Sequence, residues 1–238
     1  VVSAILPGEP AIVAVRGAEG MGKSDLLAAA RVALREAGFR VCFARGRKGG
    51  VGAPFEALAT AMLDAIGAEA LSPLRLAADV LTERIRDGGV DPTGWGGDAL
   101  IGGLVGVGPS GARGAAVMEA FRVCEALLEP DRRACVLVFA DADGVDESTW
   151  EVARALTQRP GGGVAVLYAA RSVEVEGTTS AVALEAPSDD ALDEAWRTWA
   201  GTTAPRPAGV TRPADLRALA AIRGRARVDG FDAWVAAL

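Results

Sequence analysis

The 238-residue chain contains no histidine. That removes Ser-His and Cys-His nucleophilic pairs, and nearly all zinc-imidazole chemistry. Cysteine is scarce as well. Cys42, Cys124 and Cys135 are widely spaced and form no C-x-x-C pair, so the expectation is buried, reduced thiols in a cytosolic protein. No apolar run is long enough to cross a bilayer. The longest glycine-tolerant one, "ALIGGLVGVG", falls short, and there is no signal-peptide pattern. Positive charge is in deficit too. The net charge is −6, and the only basic knot is "RGRAR", Arg223 to Arg227, which argues against a nucleic-acid surface. Lysine is nearly missing: of 25 Lys plus Arg, only Lys23 and Lys48 are lysine.

Half of the residues are hydrophobic and 24% are charged. This suits one large folded domain, or a domain with a small lid. The chain opens on Val1 rather than Met, and we expect it to be a piece of something longer.

Strand and helix signals alternate, the pattern of an α/β sheet with crossover helices. Strands are predicted at Ala11 to Arg16, Arg40 to Arg45, Ala134 to Asp141, Gly163 to Ala170 and Ala181 to Ala186. "ACVLVFAD" is the strongest, and its unbroken apolar run predicts burial on both faces. Helices are predicted from Lys23 to about Ala37, stopped by Gly38, from Pro54 to about Ile66, and from Ser72-Pro73 to Asp87. Others follow from Ala115 to Leu128, from Asp146 to Gln158 and from Ser188 to Ala200. A Pro/Thr/Gly linker, Gly201 to Pro213, precedes two short helices. Residues 88–114 are glycine-dense and too long for an ordinary connector, so an insertion or flap is expected there.

The stretch "VRGAEGMGKSDLL" carries Gly17, Ala18, Glu19, Gly20, Met21, Gly22, Lys23 and Ser24, which fits G-x-x-x-x-G-K-[ST]. A triphosphate needs inward-pointing backbone N–H groups, a compact positive charge and a hydroxyl for Mg²⁺. Gly17, Gly20 and Gly22 let the loop curl close to phosphate oxygens. Lys23 reaches the phosphates and Ser24 ligates Mg²⁺. Asp25 follows in the first turn of the helix, whose N-terminal dipole favours an anion. A lysine placed here, in a chain that otherwise uses arginine, suits this chemistry.

A triphosphate-binding site also needs an acid at the end of a neighbouring strand to hold Mg²⁺, and hydrolysis needs a second to orient water. "VLVFADADGVDEST" supplies Asp141 after the apolar run, with Asp143 two residues on. Arg171 ends the fourth strand in "LYAARS". Arg45, ending the second, is read as structural or solvated.

The order of these motifs, with "PFEAL" after the second strand, resembles the STAND branch of AAA+-like ATPases. It is most similar to the ATPase domains of large ATP-binding LuxR-type, MalT-like bacterial regulators. The resemblance runs from about Ile12 to Ala200. It implies an ASCE/AAA+-like P-loop NTPase: a parallel five-stranded sheet flanked by helices over 1–187, then a partial helical lid over 188–238. In that family the second motif carries two adjacent acids, then a small residue, His, Trp and Asp-Glu. Here one register puts Ala140 at the first acid, and the other puts Ala142 at the second. Either way one acid of the pair is missing, and in the first register Asp143 stands where the family has histidine. Arg171 is, by resemblance, the arginine that reports nucleotide state. The base-binding "GRE"-type box before the first strand is absent from Val1 to Pro10.

These readings imply ATP or ADP with Mg²⁺ as cofactors, catalytic roles for Asp141, Asp143 and Arg171, and slow or no hydrolysis. The expected function is a cytoplasmic nucleotide-dependent switch that acts on neighbouring domains or subunits and does not itself bind DNA. A catalytically dead scaffold for a protein partner is the alternative, and a P-loop kinase acting on a small molecule a distant one.

Overall fold

The computed structural model describes residues 5, 10–48, 50–68, 74–91, 95–106, 113–128, 134–159 and 163–225. The elements are β1 (Ile12–Arg16), α1 (Lys23–Glu36), β2 (Arg40–Arg45), α2 (Glu56–Ala65), α3 (Leu74–Asp87), α4 (Trp95–Val105) and α5 (Arg113–Leu128). They continue with β3 (Cys135–Ala140), a 3₁₀ turn at Ala142–Gly144, α6 (Glu147–Thr157), β4 (Val164–Ala170), β5 (Ser180–Ala183), α7 (Asp189–Ala200) and α8 (Pro213–Arg225).

The strands form one five-stranded parallel sheet in the order β2-β3-β4-β1-β5. Arg45 pairs with Ala140, Phe139 with Tyr168, and Ala170 with Arg16. The carboxyl ends of β2, β3, β4 and β1 therefore share one edge of the sheet. β4 lies between the strand that feeds the phosphate loop and the strand that precedes Asp141.

All six β3 residues and all seven β4 residues are buried, as continuous apolar strands in a sheet covered on both faces require. One face, with Ala14, Cys42, Leu137, Phe139, Val166 and Tyr168, joins the core built by α2 to α6. Trp150, on α6, makes T-shaped contacts with Phe139 and Tyr168 at centroid distances of 5.2 and 5.4 Å. This edge-to-face packing fixes α6 over the strands that carry the acidic motif.

Local signals set most boundaries. Gly38 follows α1 with φ +87°, the left-handed stop a glycine supplies. Asp146 caps α6 by accepting from Thr149 N–H at 2.9 Å and Thr149 Oγ1 at 2.7 Å. It also accepts Phe55 N–H at 3.0 Å, which ties the start of α2 to the start of α6. Arg40 donates to the carbonyls of Ala65, Leu127 and Leu128, satisfying the open ends of α2 and α5.

The structure departs from the sequence expectations in three places. The glycine-dense stretch carries a helix, α4, with Ala99, Leu100 and Leu104 in the core. Glycine costs helix propensity, but burial outweighs it. A Cβ at Gly103 would sit 2.8 Å from the Phe55 carbonyl carbon, so glycine is what lets α4 lie on the start of α2. The helix expected from Pro54 begins at Glu56, because Phe55 turns the chain with φ 64°. β5 ends at Ala183, three residues early. α8 is a single helix to Arg225, and the second short helix, like the Ser72-Pro73 start of α3, lies outside the described residues.

The chain divides into two compact units. The first is Val1–Arg16 with Ser24–Val182, and the second is Gly17–Lys23 with Ala183–Leu238. The phosphate loop thus belongs with the C-terminal helices. In that second unit Leu192 and Trp196 of α7 pack with Leu216 and Ala220 of α8. Trp196 Nε1 donates to the Ala204 carbonyl at 3.2 Å, and Arg206 pairs with Asp189 and Asp193.

Candidate nucleotide-binding site

The phosphate loop leaves β1 at Gly17 and runs into α1 at Lys23. Gly20 and Gly22 have φ of +84° and +88°, where a side chain is strained and glycine is not. Two of the glycines also sit close to neighbours. A Cβ at Gly17 would lie 3.1 Å from Leu184 Cβ, and one at Gly20 would lie 3.2 Å from Arg212 Cδ. Lys23 Nζ donates to the carbonyls of Gly17 at 2.6 Å and Ala18 at 2.8 Å, so the ammonium lies folded over its own loop. The Gly20 carbonyl accepts the N–H of Ala214, in the first turn of α8, at 3.2 Å. Ala18 and Glu19 at the tip are exposed, as are Ser24 and Asp25 in the first turn of α1. Met21 is half-buried.

The acidic motif sits on the sheet edge, in the first unit. Asp141 directly follows β3, in the left-handed region with φ 50° and ψ 47°. For an aspartate this is uncommon but tolerated, and it turns the chain sharply at the strand end. Two glycines hold the turn from both sides. A Cβ at Gly46 would overlap the Asp141 carbonyl oxygen, and one at Gly144 would overlap the Arg47 backbone. Gly46 N–H donates to the Ala140 carbonyl at 2.7 Å, and Arg47 N–H to that of Gly144 at 3.3 Å.

Asp141 Oδ2 is buried and accepts no hydrogen bond. Arg45 Nη1 lies 3.6 Å from it. A buried carboxylate oxygen without a hydrogen bond fits a group meant to meet a cation or its bound water. Among the described residues no three His, Cys, Asp or Glu side chains gather into a metal cage. The donor set, one hydroxyl at Ser24 and one carboxylate at Asp141, is the sparse kind that suits Mg²⁺ carried in by phosphates.

The Asp143 carboxylate is engaged by the residues that follow β4. Its Oδ2 accepts Arg171 N–H at 2.6 Å, and its Oδ1 accepts Ser172 N–H at 2.8 Å, Ser172 Oγ at 2.8 Å and Val173 N–H at 2.9 Å. Burial pulls this carboxyl's pKa upward, but the hydrogen bonds from Arg171, Ser172 and Val173 outweigh it and hold the group well below the usual carboxylate range. Such an acid stays ionised and has little basicity left to activate water. Ala142 between the two acids is buried.

Arg171 is the first residue past β4, with an exposed side chain and its backbone N–H held by Asp143. The sheet edge therefore brings together Arg45, Asp141, Asp143 and Arg171. Sequence reasoning missed the Arg45–Asp141 pair, the Gly46 and Gly144 clamp, and the contacts of Arg212 and Ala214 with Gly20. Only Gly46, directly after a strand, left a local signal.

The AAA ATPase domain family matches residues 1–168 of this chain. The chain belongs to that family. Membership implies that it binds nucleotide. The match spans the phosphate loop and the acidic motif and stops within β4, short of Arg171 and of the C-terminal helices.

Three solved structures are similar to this chain. One belongs to an E. coli MS115-1 HORMA:CdnC:Trip13 complex, at 12% identity and TM-score 0.38, covering 93% of this chain. This chain spans 61% of that one. A second is cbiO1 from Clostridium perfringens, part of the ABC transporter complex cbiONQ, at 12% identity and TM-score 0.30, covering 72% of this chain and 71% of that one. A third is VirB4 of Thermoanaerobacter pseudethanolicus, at 15% identity and TM-score 0.34, covering 81% of both. None of the curated proteins matches in sequence. Among the described residues no helix of this AAA ATPase domain is long and apolar enough to cross a membrane.

Proposed function

We propose that this domain is a nucleotide-dependent switch that binds ATP or ADP with Mg²⁺ and hydrolyses ATP slowly or not at all. The observation that carries the reading is the bond from Ala214 N–H to the Gly20 carbonyl, beside the packing of Arg212 against Gly20. Phosphate binding redirects the backbone of such a loop. Here the same backbone is tied to the first turn of α8, so occupancy of the loop is felt directly by the helix.

In this reading Gly17, Gly20 and Gly22 shape the cradle, and the N–H groups from Ala18 to Ser24 face the phosphates, with Met21 at the turn. Lys23 exchanges its carbonyl partners for phosphate oxygens, and Ser24 and Asp141 hold Mg²⁺. The ion, when bound, neutralises phosphate charge. Arg171 reports whether a γ-phosphate is present. The commitment of Asp143 to backbone N–H groups supports slow hydrolysis. The likeness to LuxR-type regulators supports a place in a larger cytoplasmic bacterial regulator, with other domains or subunits as the receivers and no DNA contact of its own.

Calorimetry with Mg·ATP and Mg·ADP on the wild type and Lys23→Ala, with phosphate release measured on the same samples, tests this. We expect Mg²⁺-dependent binding that Lys23→Ala abolishes, and release well below one per second. Wild type that binds neither nucleotide would hand the function to the scaffold reading. Turnover of several per second would remove the slow-hydrolysis part alone.

A further inference from the structure

The Asp143 carboxylate collects four hydrogen bonds from three consecutive residues. Three successive N–H groups turned toward one point form a small anion-binding nest. This one sits at the end of β4, and an internal carboxylate fills it. Hydrogen bonds to an ionised acceptor are short and strong.

The acceptor comes from a different strand connection than the donors. Asp143 lies in the 3₁₀ turn that follows β3, two residues beyond Asp141. That turn is stiff. Gly144 N–H bonds the Asp141 carbonyl at 2.9 Å, Val145 N–H bonds the Ala142 carbonyl at 3.1 Å, and the loop after β2 packs on its glycine. The nest side begins at Arg171. Asp143 is thus a cross-link between the strand end that carries Asp141 and the strand end that carries Arg171.

We propose that Asp143 is a positioning residue that couples Asp141 to Arg171, so that discrimination between ATP and ADP at Arg171 depends on the Asp143 anchor. This rests on the nucleotide-switch reading above. It assigns Asp143 a conformational role in place of the catalytic one expected from sequence. Without the anchor, the three N–H groups turn to water and the root of Arg171 is no longer fixed. Arg171 then meets the γ-phosphate in many orientations instead of one.

The test is calorimetry of Mg·ADP and a Mg·ATP analogue that resists hydrolysis, on the wild type, Asp143→Ala, Asp143→Asn, Arg171→Ala and the Asp143→Ala/Arg171→Ala double variant. If the wild type discriminates by about tenfold, a typical coupling between sites, Asp143→Ala should remove most of that factor, as Arg171→Ala should, and the double variant should lose no more. Asp143→Asn keeps one acceptor oxygen and should fall between. A merely structural role would lower both affinities together, along with the melting temperature, and leave their ratio alone. That result overturns the inference, as does additivity in the double variant. Should Asp143→Ala not fold, the ratio in Asp143→Asn decides in the same way. A wild type that binds neither nucleotide would instead overturn the switch reading itself.

Discussion

Arg45 and Asp141 stand at the ends of adjacent parallel strands, with Nη1 of the arginine 3.6 Å from Oδ2 of the aspartate. The pair puts a guanidinium beside the carboxylate proposed above to hold Mg²⁺. In the proposed reading, Arg45 competes with Mg²⁺ for Asp141. We predict that Arg45→Ala lowers the Mg²⁺ concentration at half-maximal nucleotide binding several-fold, measured by titrating Mg²⁺ at fixed ATP. Both side chains are partly exposed, so the same change should move stability by less than about 1 kcal/mol. An unchanged or higher Mg²⁺ requirement would show that Arg45 helps the site instead of competing for it.

A second prediction separates two glycines by their surroundings. A Cβ at Gly46 would overlap the carbonyl oxygen of Asp141, and backbone has little room to yield there. Gly46→Ala should cost at least about 2 kcal/mol, with the strain falling on the acidic turn. Gly114, exposed in the first turn of α5, has open space around it. Gly114→Ala should be neutral or stabilising by about 0.5–1 kcal/mol. Urea midpoints of the two variants check both.

A third prediction concerns the thiols, all free and buried. Burial pushes the Cys124 thiol up. The contact with Cys42, Sγ to Sγ at 3.5 Å, and burial raise Cys135. Since the thiolate is the reactive form, the folded protein should take no iodoacetamide at pH 8, whereas the urea-unfolded chain should take three equivalents. Intact mass before and after unfolding reads this directly, and rapid labelling of the native protein would contradict the buried placement of these residues.

Much of this was legible because it is local. The phosphate loop is a contiguous pattern, β3 is a continuous apolar run, and Asp146, Ser188 and Gly38 are boundary signals that act within four residues. The sheet order was not written in any one segment. It follows from which strand ends meet, and the structure supplies that. α4 was illegible because its glycines argue against a helix, while the fit of Gly103 against Phe55 exists only in three dimensions. Asp143 shows the same limit at the site. Its spacing from Asp141 suggested a second acid, but its partners lie 28 to 30 residues away, on the far side of β4. No pattern around Asp143 announces that its carboxylate will be consumed by the N–H groups of Arg171, Ser172 and Val173.

Nucleotide in the phosphate loop should be felt by α8 through Gly20 and Ala214. Amide hydrogen exchange of the segment 212–225, with and without Mg·ATP, tests it most directly, with Lys23→Ala as the control. Mg·ATP should change exchange in the first turn of α8 of the wild type and not of Lys23→Ala. Saturating Mg·ATP that leaves exchange in that turn unchanged would contradict it.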